Sequence, residues 1–202
     1  MEKVKACRLL AEKNMVVANS GNISVRNDNP NTMTISGTGT WFENITDIDF
    51  VEVNMDNCDV VNRELSIIRP SKEAIVHASI YKKREDVNCI IHFQSPYATT
   101  LCALEDFHMI SLGNIPEMIY YIKKYAMVPY AEPGSTELAN LVSEMFAEDL
   151  NTSVVGIRCH GLFSSGPNIE EAVKNAFFFE LDCQVSMRKY LLERKVVVDN
   201  LM

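Results

Sequence analysis

The residues of this chain best suited to chemistry stand at the ends of apolar runs. In Ile90-Ile91-His92-Phe93-Gln94 an imidazole and an amide lie two residues apart. Alternate residues of a strand share a face, so His92 and Gln94 converge on one point. His160 follows a second apolar run, Val154-Val155-Gly156-Ile157, and precedes Gly161. Glu73, in Pro70-Ser71-Lys72-Glu73-Ala74, supplies a carboxylate. Two imidazoles, a carboxylate and an amide oxygen are a donor set for a divalent metal. Gln94 is the weakest donor of the four, because a neutral amide oxygen is harder and less basic than imidazole. Three outcomes are open there. Gln94 is an oxygen ligand in a site favouring manganese, iron or magnesium; zinc is held more weakly by the other three; or no metal binds.

A second group of residues suits an anion. Ser71 and Lys72 fall at an expected helix start, where free backbone N–H groups and the helix dipole attract negative charge. Ser20-Gly21-Asn22 and the loop Ser36-Gly37-Thr38-Gly39-Thr40 carry hydroxyls, amides and exposed N–H groups. Such loops can cradle a phosphate, and each equally reads as an ordinary turn. Ser71 taken alone reads as a helix cap. His77, four residues after Glu73, reads as a hydrogen-bonded core histidine. Trp41 either walls the pocket or packs, and His108 has no evident partner.

These groups need a frame. The chain has 202 residues, 47% of them apolar, which suits one compact domain spanning residues 1–202. Net charge is -8, from 27 acids against 19 bases, and no basic stripe is visible, so nucleic acid is not an expected partner. Lys82-Lys83-Arg84 and Lys123-Lys124 read as solvated helix faces. Six cysteines without a C-x-x-C pair read as buried, reduced thiols in the cytoplasm. No stretch approaches the roughly 18 apolar residues of a membrane span, and the first residues do not read as a signal peptide.

Apolar periodicity predicts helices over residues 3–17, 70–84, 96–104, 135–148 and 168–194. Strands are expected at 23–26, 33–35, 50–53, 59–61, 89–92, 127–129, 153–157 and 162–164. Short turns between strands mixed with helices suggest a mixed or antiparallel sheet faced by helices.

The order of these pieces resembles the class II aldolase/adducin family. The similarity runs through Ser20-Gly21-Asn22-Ile23-Ser24-Val25-Arg26, Ile35-Ser36-Gly37-Thr38-Gly39, and Pro70-Ser71-Lys72-Glu73 with His77 and Tyr81. It continues through Asp86-Val87-Asn88-Cys89-Ile90-Ile91-His92, Ser95-Pro96-Tyr97-Ala98-Thr99, Pro129-Tyr130-Ala131, and His160-Gly161-Leu162-Phe163. It implies an α/β (α+β type) fold: three αβα layers around a central, mainly antiparallel sheet. It also implies a divalent metal, usually zinc, at His92, Gln94 and His160 with Glu73 beside it. Glu73 would be the catalytic acid/base, and Asn22, Thr38, Gly39, Ser71 and Lys72 would hold a substrate phosphate. Tyr120, with Tyr121 close by, would reach the neighbouring subunit's site in a homotetramer. The implied activity is cleavage of a small ketose phosphate through a metal-stabilised enediolate. Epimerase or dehydratase chemistry of the same family and a metal-free, non-catalytic adducin-like module are the alternatives, the last because Gln94 stands where the family has a histidine.

Overall fold

The computed structural model describes residues 1–61 and 67–199, with side chains up to residue 194. Its seven strands are β1 (Asn22–Arg26), β2 (Thr32–Ser36), β3 (Phe50–Asn54), β4 (Cys89–Phe93), β5 (Lys124–Val128), β6 (Thr152–Ile157) and β7 (Leu162–Gly166). They form one sheet in the order β3-β2-β1-β4-β7-β6-β5. Every pairing is antiparallel except the edge pair β5–β6. The helices are α1 (Lys3–Glu12), α2 (Ala74–Lys83), α3 (Pro96–Ala103), α4 (Pro116–Tyr121), α5 (Thr136–Glu148) and α6 (Ile169–Asp199).

Two apolar cores lie on the two faces of the sheet. One joins it to α1, α3, α4 and α6 through Leu10, Ile91, Leu101, Met118 and Phe179. The other joins it to α2 and α5 through Ile80, Ile90, Val142, Phe146 and Phe163. The expected αβα layering is therefore present. β4 lies between β1 and β7 and all five of its residues are buried, which explains its unbroken apolar run. Its side chains alternate between the cores: Ile91 faces α6, while Ile90, and His92 in phase with it, face α2 and α5.

Several expected boundaries move. α1 stops at Glu12 because Asn14 takes a left-handed backbone, φ 56°. α2 starts at Ala74, since Pro70 bridges to Gly37 and Ser71 N–H donates to the Ser36 carbonyl, which keeps that stretch extended. The strand expected at 59–61 is only a single bridge between Val60 and Val53. α4 is absent from the sequence reading altogether. Arg84 is not on a solvated face. It is buried, paired with Asp86 at 2.7 Å, and donates to the carbonyls of Phe146, Leu150 and Thr152. Lys124 opens β5 rather than lying on a helix. Of the six free cysteines, Cys58 is half-buried and Cys159 exposed, against the expectation of burial; the other four are buried. Among the described residues no helix is long and apolar enough to cross a membrane.

Candidate active site

Three strands and one helix entry bring the polar residues together at one end of the sheet. Asn22 on β1 is directly opposite His92 on β4, and His92 is opposite Phe163 on β7. Side chains in such a row lie within contact distance on one face. Glu73 enters from the turn before α2. Donor atoms of Glu73, His92 and His160 lie within 4.8 Å of one another. Glu73 Oε2 is 3.4 Å from His92 Nε2, and Glu73 Oε1 is 3.4 Å from His160 Nε2.

The surroundings set the chemical state of these groups. The N–H at His92 Nδ1 donates to the Leu162 carbonyl at 3.0 Å. In the neutral ring the lone pair then sits on Nε2 and points at Glu73. Burial, then the neighbouring His92, pushes His160 below its ordinary value, with Glu73 opposing, which favours its neutral ring near pH 7. Asn22 Nδ2 donates to Glu73 Oε2 at 2.9 Å. Glu73 Oε1 and Asn22 Oδ1 are buried without a hydrogen-bond partner. The lone pair of neutral His92 faces Glu73 Oε2 across 3.4 Å with no proton between them, which is repulsive, and a cation there removes that repulsion. The donor set therefore fits a divalent metal.

Gln94 reaches the same place from just beyond β4. Its amide nitrogen lies 3.5 Å from His92 Nε2, too far for a firm hydrogen bond. A half-turn of the terminal torsion puts the amide oxygen there instead. Gly161 makes room for it: a Cβ at 161 would stand 2.8 Å from Gln94 Cγ and 3.1 Å from His92 Cε1.

The anion candidates sit beside this cluster, held by backbone pairing. Thr38 N–H donates to the Arg69 carbonyl at 2.9 Å, which docks the loop of Thr38 and Gly39 on the approach to Ser71. Gly39 has φ 75°, a conformation that costs other residues energy. Ser71 Oγ accepts from Glu73 N–H at 3.3 Å, while the Lys72 side chain is exposed. Trp41 is also exposed and lines an open groove with Thr38, Gly39 and Arg69. His77, although four residues from Glu73, turns into the core. Its Nδ1 lies 2.7 Å from Ser24 Oγ, which is also 2.9 Å from the Tyr81 hydroxyl. Burial lowers its pKa to about 3. His108 is exposed against Phe107.

Tyr120 does not join this constellation within its own chain. It is 75% exposed on α4. α4 leads into the start of β5, which runs parallel to β6 and pairs Lys124 with Thr152. The cluster lies at the opposite end of β6, beyond Ile157.

Sequence reasoning did not find the Leu162 carbonyl that orients His92, nor Glu180, whose carboxylate accepts from Ser95 Oγ at 2.7 Å just after Gln94. Both act across about 70 to 85 residues and leave no local signal.

A model of the class II aldolase and adducin N-terminal domain matches residues 2–187. The L-fuculose phosphate aldolase of Methanococcus maripaludis is 32% identical over 173 residues, 85% of this chain and 86% of that protein. The 3-oxo-tetronate 4-phosphate decarboxylase of Haemophilus influenzae is 26% identical over 85% of this chain and 79% of its own. The crystal structure of a sugar-phosphate aldolase from Thermotoga maritima superposes with a TM-score of 0.80 at 22% identity, covering 94% of this chain and 93% of that one.

Proposed function

This chain belongs to the class II aldolase and adducin family and is a lyase of its aldolase type, and we propose that it cleaves a small ketose phosphate with a divalent metal held by Glu73, His92, His160 and Gln94. The convergence of Glu73, His92 and His160 within 4.8 Å, with one carboxylate oxygen buried and unpartnered, carries this reading. A bound divalent cation supplies Lewis acidity, drawing electron density from a carbonyl and its adjacent hydroxyl. His92 and His160 would hold it through ring nitrogens. Glu73 is the acid/base: it would hold the metal in the resting site and, once substrate takes that place, Oε1 would take and return a proton while Asn22 holds Oε2. Asn22, Thr38, Gly39, Ser71 and Lys72 receive the phosphate. Lys72 gives a full charge and the backbone N–H groups give direction. Zinc is the metal the family suggests. With Gln94 as fourth donor the set is two nitrogens and two oxygens, which weakens zinc relative to manganese, iron or magnesium.

The active form in this reading is a cytoplasmic homotetramer of one domain over residues 1–202, in which Tyr120 works in a neighbour's site. The exposure of Tyr120 and its distance from its own cluster support that assignment. The six free thiols support a reducing compartment. A second reading, a decarboxylase of a 3-oxo acid phosphate, is favoured by the Haemophilus influenzae relative. It needs the same metal and the same handling of negative charge on carbon.

The test is metal content per chain in protein purified without chelator, followed by turnover of L-fuculose 1-phosphate, related ketose 1-phosphates and 3-oxo-tetronate 4-phosphate. Near-stoichiometric metal with aldehyde release supports the aldolase, whereas carbon dioxide release supports the decarboxylase. Protein that takes up no zinc, manganese or cobalt and turns over none of these sinks both. A non-catalytic adducin-like module would then remain.

A further inference from the structure

Gln94 lies beyond the last paired residue of β4, so its place depends on the turn that follows. That turn is built in an unusual way. Ser95 stands at the N-cap of α3, with φ -75° and ψ 153°. A serine there ordinarily accepts from an N–H of the first helical turn. Ser95 makes no such bond and is fully buried. Its hydroxyl donates instead to Glu180 Oε2 at 2.7 Å. The same carboxylate accepts the N–H of Tyr97 at 3.0 Å and of Ala98 at 2.7 Å. Pro96, between them, has no N–H to place. The free donors of α3 are thus satisfied from α6. Further along α6 at helical spacing, Gln184 and Arg188 reach the Tyr97 hydroxyl, Arg188 at 3.1 Å.

The origin of the cap decides what it fixes. A cap from Ser95 itself would hold α3 only to its own first residue. A cap from Glu180 ties the end of β4 and the start of α3 to α6. Gln94 is then held at three points. Its N–H donates to the Met15 carbonyl at 3.1 Å, its Cγ packs over Gly161, and its successor is clamped by Glu180.

We propose that Glu180 is a positioning residue of the metal site: by fixing the Ser95–Ala98 turn it sets where the Gln94 amide stands relative to His92, Glu73 and His160. It touches none of the reacting atoms and acts through Ser95 and Gln94. The proposal rests on the metal-site reading above.

The experiment is a cobalt titration against a chromophoric chelator, together with the cobalt d–d spectrum. It compares wild type, Glu180→Ala, Gln94→Ala and the double variant, each checked by far-ultraviolet circular dichroism. The expected result is a tenfold or greater rise in cobalt Kd and an altered d–d band for Glu180→Ala with unchanged dichroism. Gln94→Ala should show a similar loss, and the double variant should lose no more than Gln94→Ala alone. Unchanged cobalt affinity with only a lower melting temperature would make Glu180 a helix cap and overturn the proposal. So would an equal loss in the Gln94→Ala background, because Glu180 would then act by another route. If Glu180→Ala does not fold, Glu180→Gln carries the comparison, since it keeps the shape and one acceptor oxygen. Wild type that takes up no cobalt overturns the metal-site reading and this proposal together. Wild type that binds cobalt beside an unaffected variant overturns this proposal alone.

Discussion

At Glu73 one carboxylate oxygen accepts from the Asn22 amide, while the other is buried without a hydrogen-bond partner. Leaving such an atom unsatisfied costs about 1–3 kcal/mol, which a cation beside it would offset. Glu73→Gln keeps the shape and removes the base. Turnover should fall at least a thousandfold while metal content stays within a factor of a few; a steady-state assay with elemental analysis on the same sample checks it. Full activity would remove Glu73 from the chemistry. Gln94→His exchanges an amide for an imidazole at the place 3.5 Å from His92 Nε2. Zinc Kd should fall tenfold or more, and manganese should lose ground to zinc in direct competition. Unchanged zinc affinity would mean that side chain 94 does not face the metal.

At the scale of elements, the site is a joint between a turn and two strand ends. The link from β6 to β7 delivers His160, and its last residue must be glycine. A Cβ at 161 would stand 2.8 Å from both the Phe93 carbonyl and Gln94 Cγ, and the carbonyl belongs to a paired strand that cannot yield. Gly161→Ala should therefore destabilise by about 1–3 kcal/mol. It should also weaken metal binding at least tenfold, by shifting Gln94 and His92. A denaturation curve with a metal titration measures both. Loss of stability with full metal affinity would show that the strand end relaxes away from the site. Phe163, on the strand leaving this turn, packs with ring centroids 5.5 Å from His77 and 4.7 Å from His92, and so separates the core histidine from the candidate ligand.

The whole molecule carries these features in its response to acid and in its assembly. Burial lowers His77 from 6.5 to about 3, and His160 is also lowered by burial. Below about pH 6.5 the unfolded chain binds protons that the folded chain refuses. Stability is then flat above that pH and falls as pH drops through it toward 3. The slope from His77 is about 1.4 kcal/mol per pH unit, and His160 adds to it in the same direction. Urea midpoints at pH 7 and 5, with chelator present to remove metal linkage, measure this, and a rising midpoint on acidification would contradict it. Assembly is tested by mixing. If Tyr120 serves a neighbour, inactive Glu73→Gln and impaired Tyr120→Phe subunits, unfolded and refolded together, should regain activity that neither has alone. A mixture no better than its parts would confine Tyr120 to its own chain or to no role.

Local patterns along the chain were enough to predict a sheet faced by helices, the buried strand that ends in His92 and Gln94, and the set of polar residues to suspect. Those signals are local, because alternation, apolar runs and turn residues act over a few neighbours. They could not show α4, whose six residues are too few for a helical period to stand out. Nor could they show that Arg84 is buried against three carbonyls, or that Pro70 is held extended by the Gly37 loop. Packing between distant segments sets which nitrogen of His92 faces Glu73, where His77 turns, and which residue caps α3. Each of these depends on a hydrogen-bond partner 50 or more residues away. Such partners become neighbours only when the strands pair and the helices pack.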